Sequence, residues 1–238
     1  MTKEFLIGSI FFIYGLFFGS FFNVVVDRWS INKSIKGRSK CDNCNYTLKA
    51  KNLVPLLSFI WQKGKCSECG MKLSFAYPFA ELLTGISFLI VYFAFGLSVN
   101  TIIGIIFIST LIISSLTDYK NDKILTKVVF YPSVIIFILG LIYINDFSLL
   151  YFLPAILMSI FGLVGILFNK FSENKLFLFF DIFLVFGIFF GSVATLISSV
   201  MLFLGILILK KKKLPIVPFW LLGSLTTYLT IGFEVFNH

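Results

Sequence analysis

The stretch LIISSLTDYKNDKIL, residues 111–125, runs an apolar segment into an acid, Asp118, with a short charged turn directly behind it. Whether that segment belongs to a soluble core or a bilayer decides the fold. Of the 238 residues, 58% are hydrophobic, 13% are charged and 32 are Phe, which is more apolar surface than one soluble core buries. An α-helix needs about 20 apolar residues to cross a hydrocarbon layer. Runs of that kind recur at 4–26, 79–97, 100–117, 124–144, 147–168, 176–190, 192–209 and 215–235, the split within 176–209 being set at Gly187, Gly191 and Ser192. The sequence therefore predicts an all-α membrane protein of about eight transmembrane helices. Its parts are a first transmembrane helix (1–26), a soluble loop domain (27–78) and a seven-helix membrane domain (79–238).

The formal charge of +9 raises nucleic acid as a partner, but the basic residues sit between the apolar runs, where membrane orientation accounts for them. No nucleic-acid partner is expected. If the first helix runs outside to inside, the segments 27–78, 118–127, 169–175 and 210–213 are cytoplasmic and hold 19 of the 20 Lys and Arg, leaving Lys3 outside. Changing the helix count by one would scatter the later clusters over both faces. The first run is too long for a signal-peptide core and has no small-residue cleavage site before Asp27, so it is expected to stay as a helix.

Within the loop, Cys41-Asp-Asn-Cys44 and Cys66-Ser-Glu-Cys69 are separated by 21 residues. Each CxxC aims two sulfurs at one point, and two such pairs suit a four-thiolate structural zinc site in a small ribbon of hairpins. Gly70 assists the second turn, and Lys65 favours thiolate over thiol. The other readings are a redox pair or four unconnected thiols. Between the pairs, NLVPLLSFIW (52–61) is an apolar patch bounded by lysines, placed either under the ribbon or against the membrane surface. The basic loop is expected to meet anionic headgroups of the lipid bilayer.

Acids in a membrane domain point to function by default. The candidates are Glu81, Asp118, Asp122 and Asp181. Asp181 lies six residues past Lys175, about 9 Å along a helix, among Phe179, Phe180, Phe183 and Leu184. Asp118 follows Ser114, Ser115 and Thr117, nearer water. Charge places both at the same membrane face, where two close carboxylates share a proton and can serve as base and acid toward an amide. The only histidine, His238, is at the C-terminus, which excludes a His triad, and no HExxH or phosphate-binding glycine loop occurs. The competing structural reading has Asp118 capping its loop and Asp181 bonding a neighbouring helix. Asp122 reads as solvated, and Glu81 as an acid in the first turn of the second span. A proton-coupled transporter using Asp181 is a further alternative.

GSFFNVVVDR (19–28), the paired CxxC with NLVPLLSFI between them, LSFAYPFAELLTG (73–85), Asp118 and Asp181 together resemble the type IV prepilin leader peptidases, polytopic aspartic proteases. The resemblance implies a bacterial multi-pass protein of the cytoplasmic membrane. It would cleave the basic leader from type IV prepilins or pseudopilin precursors of competence and secretion, and in many members methylate the new N-terminus with S-adenosylmethionine. Asp118 and Asp181 match the catalytic pair, and Cys41, Cys44, Cys66 and Cys69 the zinc-type loop. The chain departs from the family pattern in three places: Leu178-Phe179-Phe180 replaces Gly-x-Gly before Asp181, Phe183 stands at a common Lys position, and Ile124-Leu125 replaces Ile-Pro. Glycines permit a close backbone approach that Leu and Phe do not. The alternative is thus an inactive relative that holds pilin-like subunits as a membrane scaffold.

Overall fold

A computed structural model describes residues 2–29, 31, 33–121 and 135. Four α-helices occur among the described residues: α1 (Thr2–Trp29), α2 (Leu57–Trp61), α3 (Ala76–Phe95) and α4 (Val99–Asn121). Three of them are long and apolar enough to cross a membrane, over Lys3–Trp29, Ala76–Phe95 and Val99–Thr117. This is a helical, multi-pass membrane protein. The expected spans at 124–144, 147–168, 176–190, 192–209 and 215–235 lie outside the described residues, as does Asp122.

The expected helix at 79–97 starts earlier, at Ala76, because Pro78 is its third residue, where a missing N–H has no intrahelical partner to lose. It ends one residue before Gly96, whose φ of 61° suits a residue without a side chain and whose N–H donates to the Tyr92 carbonyl at 2.8 Å. Ser98 then receives the Thr101 N–H at 3.4 Å on its Oγ and starts α4. The first helix likewise runs past Val26 to Trp29. Beyond it the Arg28 guanidinium donates to the carbonyls of Ile35, Lys36 and Arg38 at 2.7, 2.9 and 3.1 Å. That gathers the start of the loop around one fork of donors.

The described residues fall into two units that divide between Thr101 and Ile102. In the first, α1 and α3 pack antiparallel. A methyl group at Gly15 would stand 2.7 Å from the Gly85 Cα and from the Thr84 carbonyl oxygen, and one at Gly19 would stand 2.7 Å from the Glu81 Cα. Only glycine lets the backbones come this close, the small-residue packing that membrane helices use where lipid gives no hydrophobic drive. Thr84 and Ser87, both fully buried, return their hydroxyls to the carbonyls of Ala80 and Leu83 at 2.7 Å, so they fill the seam without an unmet donor. Phe11 stacks on Tyr92 with ring centroids 4.8 Å apart, and Phe18 meets Phe88 at 5.7 Å. The other side of α1, including Phe5, Leu6, Tyr14, Phe17 and Phe21, is exposed, as a lipid-facing surface would be. In the second unit, α4 buries Ile103, Phe107, Ile108, Leu111 and Ile112.

Candidate metal centre and the polar end of the helix seam

The two cysteine turns are copies of each other, 25 positions apart. KCDNCNYTL (40–48) and KCSECGMKL (65–73) share the Lys, both Cys and the closing Leu. Cys41 N–H donates to the Tyr46 carbonyl at 2.9 Å and Cys66 N–H to the Met71 carbonyl at 2.8 Å. Asn45 and Gly70 N–H return to the Cys41 and Cys66 carbonyls at 2.9 and 3.0 Å. Both residues take positive φ, 56° and 71°, which Gly and Asn tolerate best. Each turn is closed by one antiparallel bridge, Lys40 to Thr47 and Lys65 to Lys72, so the expected ribbon of short hairpins is present.

All four sulfurs lie within 4.8 Å of one another, and Cys41 Sγ is 3.8 Å from Cys69 Sγ. A tetrahedron with Zn–S bonds near 2.3 Å has edges of about 3.8 Å. None of the four is in a disulfide. The Met71 backbone N–H, then the Asn43 side chain, hold the Cys69 thiol down at about 6. Cys44 is pushed up to about 12: the Tyr46 backbone N–H lowers it, but desolvation and the other three sulfurs outweigh that. Four thiols at this separation do not ionise together without a cation between them. Number, spacing and donor chemistry all fit a tetrahedral metal ion.

Beside this centre, three sequence motifs meet at the loop-side end of the α1–α3 seam. Ser20, Asn23 and Asp27 form one stripe on α1, facing Tyr77 and Glu81 on α3. Asn23 Nδ2 donates to the Tyr77 carbonyl at 3.3 Å, and the Tyr77 hydroxyl donates to Asp27 Oδ2 at 3.1 Å. The Ser20 hydroxyl bonds Glu81. Asn23 is 4% exposed, and its Oδ1 has no partner among the described residues.

Glu81 departs from its expected part as a first-turn acid, because α3 begins five residues before it. Its Oε2 instead accepts the Leu56 N–H at 2.8 Å. Leu56 has φ 58° and ψ −52° and is the centre of a γ-turn closed by Leu57 N–H on the Pro55 carbonyl at 2.6 Å, a strained geometry that persists only where its surroundings hold it. A buried carboxylate on α3 thus fixes the loop's apolar segment to the membrane helices. Within that segment Asn52 receives the Lys49 N–H at 3.1 Å and donates to Gln62 Oε1 at 3.1 Å.

Sequence reasoning read Ser20, Asn23 and Asp27 only as family-like letters. The signal that they face α3 was their spacing of three and four residues, together with Gly8, Gly15 and Gly19 at seven and four.

Asp118 belongs by its backbone to the last turn of α4, one residue past the apolar span that ends at Thr117. The turn before it is polar and buried: Ser114, Ser115 and Thr117 are all largely hidden, and Thr117 Oγ1 donates to the carbonyls of Ile113 and Ser114 at 3.0 and 2.9 Å. Asp181 lies outside the described residues.

The family model described as the bacterial peptidase A24 N-terminal domain matches residues 13–95, which takes in α1 from its middle, both cysteine turns and all of α3. A prepilin leader peptidase/N-methyltransferase of Bacillus subtilis is 45% identical over 111 residues, covering 46% of this chain and 45% of the relative. One of Klebsiella pneumoniae is 36% identical over 125 residues, 50% and 55% of the two chains. A type 4 prepilin-like proteins leader peptide-processing enzyme of Escherichia coli is 36% identical over 95 residues, 32% and 35%. The chain spans about half the length of the curated relatives it matches, or less. No solved structure matches it. The agreement falls where the glycine seam, the polar knot and the four-cysteine cluster are built: residues 13–95 match the bacterial peptidase A24 N-terminal domain, and over that region the chain is similar to prepilin leader peptidases.

Proposed function

We propose that this protein is an aspartic endopeptidase of the bacterial cytoplasmic membrane. It would remove the basic leader from type IV prepilin or pseudopilin precursors at the cytoplasmic face. The observation that carries the reading is the coincidence of the family match over residues 13–95 with the folded assembly of α1, α3 and the cysteine loop. In this reading Asp118 and Asp181 form the catalytic pair. One carboxylate takes a proton from the attacking water, and the other, protonated, donates to the scissile carbonyl oxygen, so the tetrahedral intermediate forms without a covalent enzyme adduct. Cys41, Cys44, Cys66 and Cys69 would hold a structural Zn2+, which supplies folding energy that a loop of this size lacks by itself. The lysine-rich loop would rest against anionic headgroups of the same leaflet. The names of the relatives add methylation of the new N-terminus, which needs S-adenosylmethionine.

The test is co-expression with a prepilin-like substrate. Wild type should release the leader, whereas Asp118→Asn and Asp181→Asn should accumulate in the membrane and leave the precursor intact. A wild type that retains precursor without cleaving it would favour the scaffold reading, to which Leu178-Phe179-Phe180 before Asp181 gives its specific support.

A further inference from the structure

We propose that Leu53–Trp61 is an interfacial anchor: Leu53, Leu57, Ile60 and Trp61 seat in the boundary between headgroups and acyl chains of an anionic leaflet, with the neighbouring lysines on its phosphates. The proposal rests on α1 and α3 spanning the bilayer.

The segment is fixed to the protein by one side and presents oil on the other. Asn52 and Pro55 are buried and Leu56 is held through its N–H by Glu81, yet Leu53 is 41% exposed, Leu57 52%, Ile60 69% and Trp61 54%. Lys49, Lys51, Lys63 and Lys65, all exposed, bracket this surface. An aliphatic and indole face rimmed by lysines is the chemistry of a helix lying in the membrane interface, where Trp prefers the boundary and Lys stems reach the phosphates.

Its level agrees. Glu81 lies five residues into α3, about 7.5 Å along the helix from Ala76. A loop riding well above the bilayer would not bring the Leu56 N–H within 2.8 Å of that carboxylate.

The surface is also continuous with one that faces lipid. Phe75, at the N-cap of α3, and Phe79, Leu82 and Ile86 on the helix are exposed by 70, 56, 40 and 39%. Their spacing of four, three and four residues makes a single outward stripe. Phe59 of α2 meets Phe75, the top of that stripe, edge to face with ring centroids 6.0 Å apart. Leaving α2 in water would interrupt one apolar surface at the point where the bilayer begins.

The experiment uses the full chain in vesicles of phosphatidylcholine and phosphatidylglycerol whose acyl chains carry bromine either close to the headgroups or near the chain ends. The fluorescence of Trp61 is taken as the difference between wild type and Trp61→Phe. Shallow bromine should quench it at least about twofold more than deep bromine, while aqueous iodide leaves it unchanged. Leu57→Trp in the Trp61→Phe background should give the same order. Exchanging phosphatidylglycerol for phosphatidylcholine, or Lys51→Gln with Lys63→Gln, should weaken the shallow quenching.

Quenching by iodide and by neither lipid would place the segment in water, and quenching by none would place it under protein. A stronger effect of deep bromine would bury it in the hydrocarbon. Each of these overturns the proposal, and indifference to phosphatidylglycerol overturns its anionic part. Protease added to sealed vesicles tests the premise separately: with tags ahead of α1, in the loop at Gly37 and in the turn at Gly96, spanning α1 and α3 put the loop tag on one face and the other two on the opposite face, whatever Trp61 reports.

Discussion

In the seam between α1 and α3, two backbones meet because Gly15 and Gly85 carry no side chain; in the loop between those helices, two turns meet because four cysteines do. The cohesion of the seam is van der Waals contact over glycines, and its polar end is tied by hydrogen bonds among Asn23, Tyr77 and Asp27. The cysteine loop has almost no core: Cys41 and Cys66 are buried, Cys44 and Cys69 exposed, and the Met71 backbone N–H lowers the Cys69 thiol while Cys44 is raised. One region is held by its own contacts, and the other, in the proposed reading, is completed by a metal ion. Glu81 is the joint between them.

The largest effect should come from the loop, because structural zinc in small domains contributes roughly 10–16 kcal/mol of binding free energy. Purified protein should carry about one zinc per chain, by metal analysis. Cys41→Ser with Cys66→Ser should abolish it and open the loop to proteolysis, while the helices stay in the membrane. Metal-free protein with two stable disulfides would collapse the contrast. In the seam, Gly15→Ala should cost more than Gly8→Ala, toward the upper end of ~1–3 kcal/mol. At Gly15 a methyl meets backbone at 2.7 Å, whereas at Gly8 it meets the ends of Leu89 and Phe93 at 3.1 and 3.2 Å. Thermal stability in a fixed detergent checks the order, and equal losses would contradict it.

At the joint, Glu81→Leu leaves the Leu56 N–H unmatched and should cost about 1–3 kcal/mol, with Glu81→Gln retaining most of the stability. Limited proteolysis near Leu56 should rise in the first variant and stay low in the second. Tyr77→Phe should be the mildest, at about 1 kcal/mol, measurable as a small fall in the same melting temperature.

How legible these parts were follows from how far apart in sequence their causes lie. The cysteine centre was readable because each CxxC is a local turn, and KCDNCNYTL and KCSECGMKL spell the same turn twice. Three of the apolar runs became helices close to their expected limits, since span length follows from composition. Pro78 misled the start of α3 because a breaker inside a helix is harmless in its first turn. Arg28 read as one more loop cation, but it collects carbonyls up to ten residues away. Glu81 read as a helix-end acid, but it holds a strained Leu56 25 positions earlier. No periodicity reports such pairings, because each depends on which two segments the fold lays together.

Asp118 stands apart from this contrast, at the end of α4 and past its apolar span, and the proposed chemistry depends on it. The most direct measurement is leader cleavage of a co-expressed prepilin-like precursor by wild type, Asp118→Asn and Asp181→Asn, with membrane levels matched. The reading as an aspartic leader peptidase predicts mature product from wild type alone. Normal cleavage by either asparagine variant would contradict it.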